Sequence, residues 1–390
     1  MRRFAGKNSI MAICVASMAT ALSFFAQSCS TTRVLQDGEY RLAKNEVLIE
    51  NDKRFSTNKV EPYIKQKPNS NLIFGWNPFL NVYNWGGKSN SFFARLFRKI
   101  GTPPVVYEPD KVNASEDNIR RHLEYLGYYG SVVGSEVNVK RKNVKVTYKV
   151  TLGKRFPIKD IHYNVPSGET FASDFLRDTN RVLVRRGDWL SEEMLENESQ
   201  RSSAKMRNLG YYGFSKSHYF FQADTLTDPG NAILEYRINE YTRNESEKDA
   251  TPIRKFTFND VVISHPETFK IREKVLRDLN TIRPGDLYSE NLVNNTRLSS
   301  LSVLSSVNVD VRQIDTALVN ADISLSGARL QGTKVNIEAS SNSSGLFGIS
   351  PGLSYYHRNI FRGGEVLNLN FSGNFQFKPN SDMRSTEFSV

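Results

Sequence analysis

The stretch Glu365–Phe377, reading E-V-L-N-L-N-F-S-G-N-F-Q-F, constrains the fold more than any other part of the chain. Successive side chains of a strand point to opposite faces. Leu367, Leu369, Phe371, Phe375 and Phe377 therefore share one face, and Asn368, Asn370, Ser372, Asn374 and Gln376 share the other. The apolar face carries no charge. A soluble sheet would bury such a face as a core stripe and would usually place Lys, Glu or Thr opposite it. An uncharged Asn/Ser/Gln face also suits a membrane barrel, with lipid outside and a wet lumen inside. The stretch by itself leaves both readings open.

At the other end, residues 1–28 have the layout of a signal peptide. Arg2, Arg3 and Lys7 precede an apolar stretch from Ile10 to Phe25, and small residues follow. The segment is too short and too interrupted by Ser and Thr for a membrane span. Ala26-Gln27-Ser28-Cys29 resembles a bacterial lipobox, with Ala26 where Leu is usual. Cleavage before Cys29 would make it the lipid-attachment residue at the head of a linker, 29–34. The other reading is an ordinary signal with an incidental cysteine. Ser30-Thr31-Thr32-Arg33 lacks the acidic cluster that resembles a surface-export tag, so retention on the periplasmic leaflet is expected. The remaining cysteine, Cys14, lies in the leader, which leaves one mature thiol and no intramolecular disulfide. The formal charge of +11 favours an anionic surface. No Lys/Arg run resembles a nucleic-acid arm, so no nucleic-acid partner is expected.

Beyond Val34 the chain repeats itself. Leu-Gly-Tyr-Tyr-Gly occurs at Leu126–Gly130 and again at Leu209–Gly213, and Gly-Asp-x-x-Ser-Glu at Gly187–Glu192 and Gly285–Glu290. The serine of the second string suits a helix N-cap with acidic residues in the first turn. In the later copy Leu292, Thr296, Ser299 and Val303, with Leu298 and Leu301, trace one helical face. Strand patterns bracket the helices at Val144–Val150, Ile233–Ile238, Val307–Val311 and near Ala321–Leu325. Each unit thus reads strand, helix, helix, strand, strand. The period is too long for a solenoid and suits tandem small α+β domains.

That order of parts resembles POTRA domains, the polypeptide-transport-associated modules. Three fit, at 35–154, 155–247 and 251–330. The third departs from the pattern, with Leu301-Ser-Val-Leu304 where L-G-Y-Y is expected. They are followed in 332–390 by strand candidates Thr333–Ser341, Gly348–His357 and Glu365–Phe377. Arg358–Gly364 between the last two resembles a turn found near the start of such barrels. The whole resembles the TamA/BamA-type outer-membrane assembly family, and most closely its lipidated branch in the translocation and assembly module. The fold class implied is α+β: tandem POTRA domains, then the first strands of an antiparallel transmembrane β-barrel. Closed bacterial barrels need at least about 8 strands, so these strands read as the front part of a longer barrel.

The resemblance implies an outer-membrane, lipid-anchored protein with periplasmic POTRA domains and no covalent chemistry. It would bind extended client segments by strand addition and promote insertion of outer-membrane proteins. The family's client edge is the first barrel strand, which corresponds here to Thr333, Val335, Ile337 and Ala339. The implied partners are a TamB-like inner-membrane protein, nascent outer-membrane proteins and outer-membrane lipid. A two-partner secretion pore and an enzyme exported through its own barrel are the alternatives.

Two local features compete with this reading. Gly348-Ile-Ser-Pro-Gly352 matches G-x-S-x-G, yet a nucleophile elbow needs a strand, a tight turn and a helix, whereas Pro351 and strand-like residues follow Ser350. No histidine stands at useful spacing from a nucleophile or second ligand, so no catalytic residue, metal or cofactor is expected. The insertion 72–100 in the first module holds Phe74, Trp76, Phe79, Tyr83 and Trp85, then the basic piece Phe92–Lys99. Its aromatics either pack onto their own domain or touch a membrane interface. Under the second reading Trp76, Phe79, Trp85, Phe92 and Phe93 are the contacts.

Overall fold

The computed structural model describes residues 31–70, 77–242, 248, 250–267, 269–341, 346–378, 382 and 384–390. Two compact units comprise Met1–Asp160 with Arg185–Leu195 and Asp224–Ile233, and Ile161–Val184 with Glu196–Ala223 and Leu234–Val390.

In the first unit, strand β1 (Arg41–Ile49) is followed by helices α1 (Pro78–Trp85), α2 (Phe92–Ile100) and α3 (Pro109–Tyr125), then strands β2 (Val132–Lys140) and β3 (Asn143–Thr151). Helix α3 starts on Pro109, whose missing N–H costs nothing in the first turn. Val112, Ser115, Ile119 and Leu123 form its buried stripe. It ends where Gly127 adopts φ 88°, the left-handed residue that closes many helices. A side chain there would strike the Leu190 carbonyl. Strand β3 alternates, with Val144, Val146, Tyr148 and Val150 buried against the helix. It lies in the middle of its sheet, parallel to β1 and antiparallel to β2.

The middle sheet has the same order. Strands β4 (Ile158–Asn164), β5 (Tyr219–Asp224) and β6 (Ala232–Ile238) are arranged with β6 central. Helices α4 (Glu169–Arg177) and α5 (Glu192–Asn208) lie between β4 and β5 in sequence. The Ser191 hydroxyl accepts from the Met194 amide, the cap its motif predicts. In the second unit Phe171, Phe175, Met206, Tyr211, Phe214, Tyr219 and Tyr236 form one aromatic core. Fully burying such a side chain contributes about 1.5–3 kcal/mol.

The third sheet repeats the plan with β7 (Thr257–Ser264), β8 (Leu304–Gln313) and β9 (Leu318–Gly327), β9 being central and parallel to β7. Its helices differ from expectation. Instead of one helix through Val303, α6 (Glu273–Leu279) is followed by the short α7 (Glu290–Asn294) and a separate 3-10 turn at Arg297–Ser300. The Thr296 hydroxyl accepts from the Leu298 amide, a local bond that competes with helix continuation. Ser289 does not cap α7 either; its hydroxyl donates to Asn208 Oδ1 at 3.0 Å. The L-G-Y-Y turn before β5 meets the third sheet within the same unit. Phe256 N–H donates to the Gly210 carbonyl, and Tyr212 Oη donates to the Val311 carbonyl at 2.7 Å.

Four antiparallel strands close the described chain: β10 (Gln331–Ser341), β11 (Phe347–Arg358), β12 (Val366–Phe377) and β13 (Arg384–Ser389). The sequence predicts three. The fourth, R-S-T-E-F-S, has one large apolar residue and no alternation to announce it. It forms by pairing along β12 from Ser372 to Phe377.

Candidate functional site

Register decides what the last sheet can do. Residues directly opposite in an antiparallel pair share a face. Val335 pairs with Leu353, which pairs with Phe371, while Ala339, Ile349 and Phe375 form a second row. Thr333, Tyr355 and Leu369 form a third, and Ile337 lies opposite Pro351. Apolar groups dominate the rows from Val335 onward, while the end row Gln331–His357–Leu367 is mixed. The opposite face carries Lys334–Ser354–Asn370, Asn336–Gly352–Ser372 and Ser340–Gly348–Gln376. The alternation read from β12 thus extends coherently to β10 and β11. In a soluble sandwich this face would be buried. Here Val335 and Ile337 are 70% and 74% exposed, and Leu353, Leu369, Phe371 and Phe377 are exposed as well. A contiguous uncovered apolar face of this kind marks an interaction with lipid or protein.

Strand β10 stands at the edge of the sheet, with β11 as its neighbour. Edge strands present backbone N–H and C=O groups to any strand that approaches. Thr333, Val335, Ile337 and Ala339 all lie on the apolar face of this edge and are all exposed.

The β11–β12 turn is held to the third sheet's module by a set of bonds that the sequence does not announce. Asn359 and Arg362 take left-handed φ values of 84° and 61°. Asn359 Nδ2 donates to the Lys270 carbonyl at 2.7 Å, and Gly364 N–H donates to Asn359 Oδ1. Arg272 reaches the same turn: Nε donates to the Phe361 carbonyl and Nη2 to Glu365 Oε1 at 3.2 Å. The backbone bonds at Glu365 itself, then those from Gly363 and Phe361 and the Arg272 charge, hold the Glu365 carboxyl below its ordinary value, against a desolvation that would raise it. Asn tolerates the left-handed conformation best among non-glycine residues, which accounts for it at position 359.

The insertion in the first unit folds as a helical hairpin of α1 and α2. Asn77 and Ser91 cap the two helices with side-chain oxygens, accepting from Leu80 and Ala94 amides. The helices touch at backbone distance, because Gly86 faces the Ala94 carbonyl and Gly101 faces Tyr83. Leu80, Asn84 and Ala94 are buried in this contact.

With this geometry in place, the chain can be set beside known proteins. Residues 44–153 match the family model "POTRA: Surface antigen variable number repeat". No curated protein matches the chain. Among solved structures, the POTRA3-5 fragment of Haemophilus influenzae BamA is 14% identical, with a TM-score of 0.40, covering 75% of this chain and 99% of that one. BamA of Haemophilus ducreyi lacking POTRA domains 1-3 is 12% identical, with a TM-score of 0.40 and 57% of this chain covered. CdiB of Acinetobacter baumannii is 14% identical, with a TM-score of 0.30 and the same 57% covered. The chain spans 38% of the former and 41% of the latter.

Cys29 and Trp76 lie outside the described residues. Within the POTRA match, Phe79, Trp85, Phe92 and Phe93 are all exposed, so the aromatics at these positions are not spent on the domain core. A tyrosine of the repeated L-G-Y-Y string is a core group: Tyr211 is buried, and its hydroxyl donates to Asp174 at 2.9 Å. The G-x-S-x-G string lies inside β11, with Ser350 Oγ donating to Asn374. Among the described residues no cluster of His, Cys, Asp and Glu could hold a metal ion. No helix among them is long and apolar enough to cross a membrane, which says nothing about crossing by strands. Sequence reasoning missed β13 and the Arg272 clamp. An arginine that binds a distant turn leaves no periodic signal; only the unusual Asn-Ile-Phe-Arg-Gly-Gly run hinted at the turn itself.

Proposed function

We propose that this chain is an outer-membrane lipoprotein of the translocation and assembly module, close to TamL. Its POTRA modules would lie in the periplasm, and β10–β13 would form the first strands of a membrane barrel. Extended segments of nascent outer-membrane proteins would add to the exposed edge of β10 through main-chain hydrogen bonds, with Thr333, Val335, Ile337 and Ala339 along the receiving strand. Insertion then needs no nucleotide, because burying apolar faces in lipid supplies the driving force. A TamB-like inner-membrane protein is the partner that would bridge the periplasm. The observation that carries this reading is the register of the last sheet, which collects every apolar row on one uncovered face behind modules of repeated topology.

The test is labelling of single cysteines in the full-length protein in intact outer membranes. Leu369→Cys and Phe371→Cys should react with a lipid-soluble reagent and resist a water-soluble one. Asn370→Cys and Ser372→Cys should react with the water-soluble reagent from the lumen. Equal reactivity at all four positions would sink the barrel assignment.

A further inference from the structure

Helix α2 is amphipathic the wrong way round. At 3.6 residues per turn, Phe92, Phe93, Leu96 and Ile100 share one side, while Ala94 and Arg98 lie on the other. An amphipathic helix on a soluble domain buries its apolar stripe. Here Ala94 is the buried residue, and Arg98 turns back to bond the Ala94 and Ser89 carbonyls. The apolar stripe points outward, with Phe92 and Phe93 69% and 67% exposed and Leu96 and Ile100 also exposed. The two phenylalanine rings meet edge to face at 5.7 Å.

Along the sequence around this stripe, charge has one sign. Between Glu61 and Glu108 the sequence contains no Asp or Glu, while Lys65, Lys67, Lys88, Arg95, Arg98 and Lys99 fall in that interval. Lys88, Arg95 and Lys99 are exposed, and the last two flank the apolar stripe on α2. The chain's N-terminal segment lies alongside: Val34 and Gln36 line a cleft with Tyr83, Gly87, Lys88 and Arg98, and the Arg33 guanidinium is close to Gly87. An exposed apolar stripe flanked by Arg95 and Lys99, with no acidic residue near it in sequence, has the charge and polarity that fit an anionic membrane surface.

We propose that the α1–α2 hairpin docks on an anionic bilayer surface. Phe92, Phe93, Leu96 and Ile100 enter the headgroup–acyl boundary, and Lys88, Arg95 and Lys99 meet lipid phosphates. The hairpin then acts as a second membrane contact that holds the first POTRA module at the surface. This stands apart from the barrel. It also stands apart from Cys29, although an acyl chain four residues before Arg33 would lie within roughly 14 Å of extended chain.

The experiment places the photoreactive residue p-benzoylphenylalanine at Phe93 in the full-length protein, expressed in cells whose phospholipids carry radioactive phosphate. Irradiation should give a protein band labelled with lipid phosphate. The same photoprobe at Leu226, an apolar position on a loop that is more exposed than Phe93, should give none. Reversing two exposed cations, Arg95→Glu with Lys99→Glu, should lower the lipid adduct about tenfold or more while protein level and protease resistance stay unchanged. An adduct to protein in place of lipid would overturn the proposal, as would equal lipid labelling at 93 and 226, or full labelling after charge reversal. Incorporation of labelled palmitate, followed in the same cells, reports on Cys29 alone, so the two ideas can fail separately.

Discussion

Glu198 is fully buried in the middle of α5, and its carboxylate is completely used. Arg201 grips it with two bonds of 2.8 and 2.9 Å, the Leu183 amide donates to it at 2.9 Å, and Tyr236 Oη approaches at 3.3 Å. Arg201 also binds the buried Asp178 at 2.7 Å. The Glu198 carboxylate first, and then Asp178, raise the Arg201 pKa above its ordinary value in spite of burial. Removing one partner of such a network is far more costly than never having had it. Glu198→Ala should therefore destabilise the module by about 3 kcal/mol. Arg201→Met should cost more, since it strands two buried carboxylates. Hydrogen exchange at the Leu183 amide and along β6 measures both, and an unprotected-to-protected ratio unchanged in either variant would count against this role. Gly127 and Gly210 are single-residue requirements of another kind. Their left-handed backbones of 88° and 106° admit glycine at little cost and other residues only under strain.

At the scale of elements, the last sheet and the hairpin share a feature: each shows its apolar side outward. Strand β12 tests what that side faces. Leu369→Arg or Phe371→Arg should cost about 2–4 kcal/mol if the position lies near a bilayer midplane. Asn370→Arg or Ser372→Arg should cost far less, because the polar face would look into a wet lumen. Heat-modifiability of the full-length protein on cold and boiled gels reads the difference, and equal loss at odd and even positions would remove the lipid-facing assignment. The split of the expected helix after α7 belongs at this scale too. Asn294, Asn295 and Thr296 all offer side-chain bonds to nearby backbone, and Thr296 takes one. An apolar stripe through Leu298 and Leu301 was legible, but the competing polar bonds break the helix that would have carried it. Leu298 is still buried in the third core, from a 3-10 turn.

For the whole molecule, the prediction concerns the anchor. Labelled palmitate should enter the wild type and be absent from Cys29→Ala. Label retained by Cys29→Ala would end the lipobox reading. The hairpin's cations act on lipid more weakly as ionic strength rises, so the lipid adduct at position 93 should fall in high salt, and Arg95→Glu with Lys99→Glu should remove that salt dependence.

Periodic features were legible in the sequence because periodicity is a backbone property. A two-residue alternation can be satisfied in one way, and β3, β6, β9 and β12 all follow it. The repeated L-G-Y-Y-G strings likewise marked helix ends, since left-handed turns select glycine whatever surrounds them. What the tertiary structure alone decided are features that depend on partners distant in the chain. Strand β13 exists because β12 offers it an edge, Arg272 matters because a turn about ninety residues later folds onto it, and Glu198 is tolerated because Arg201, Leu183 and Tyr236 converge on it. The outward stripe of α2 belongs with these. Its apolar and basic residues were visible from the start, but which side the hairpin would bury was set by the close approach of Gly86 to Ala94, and no local pattern encodes that contact.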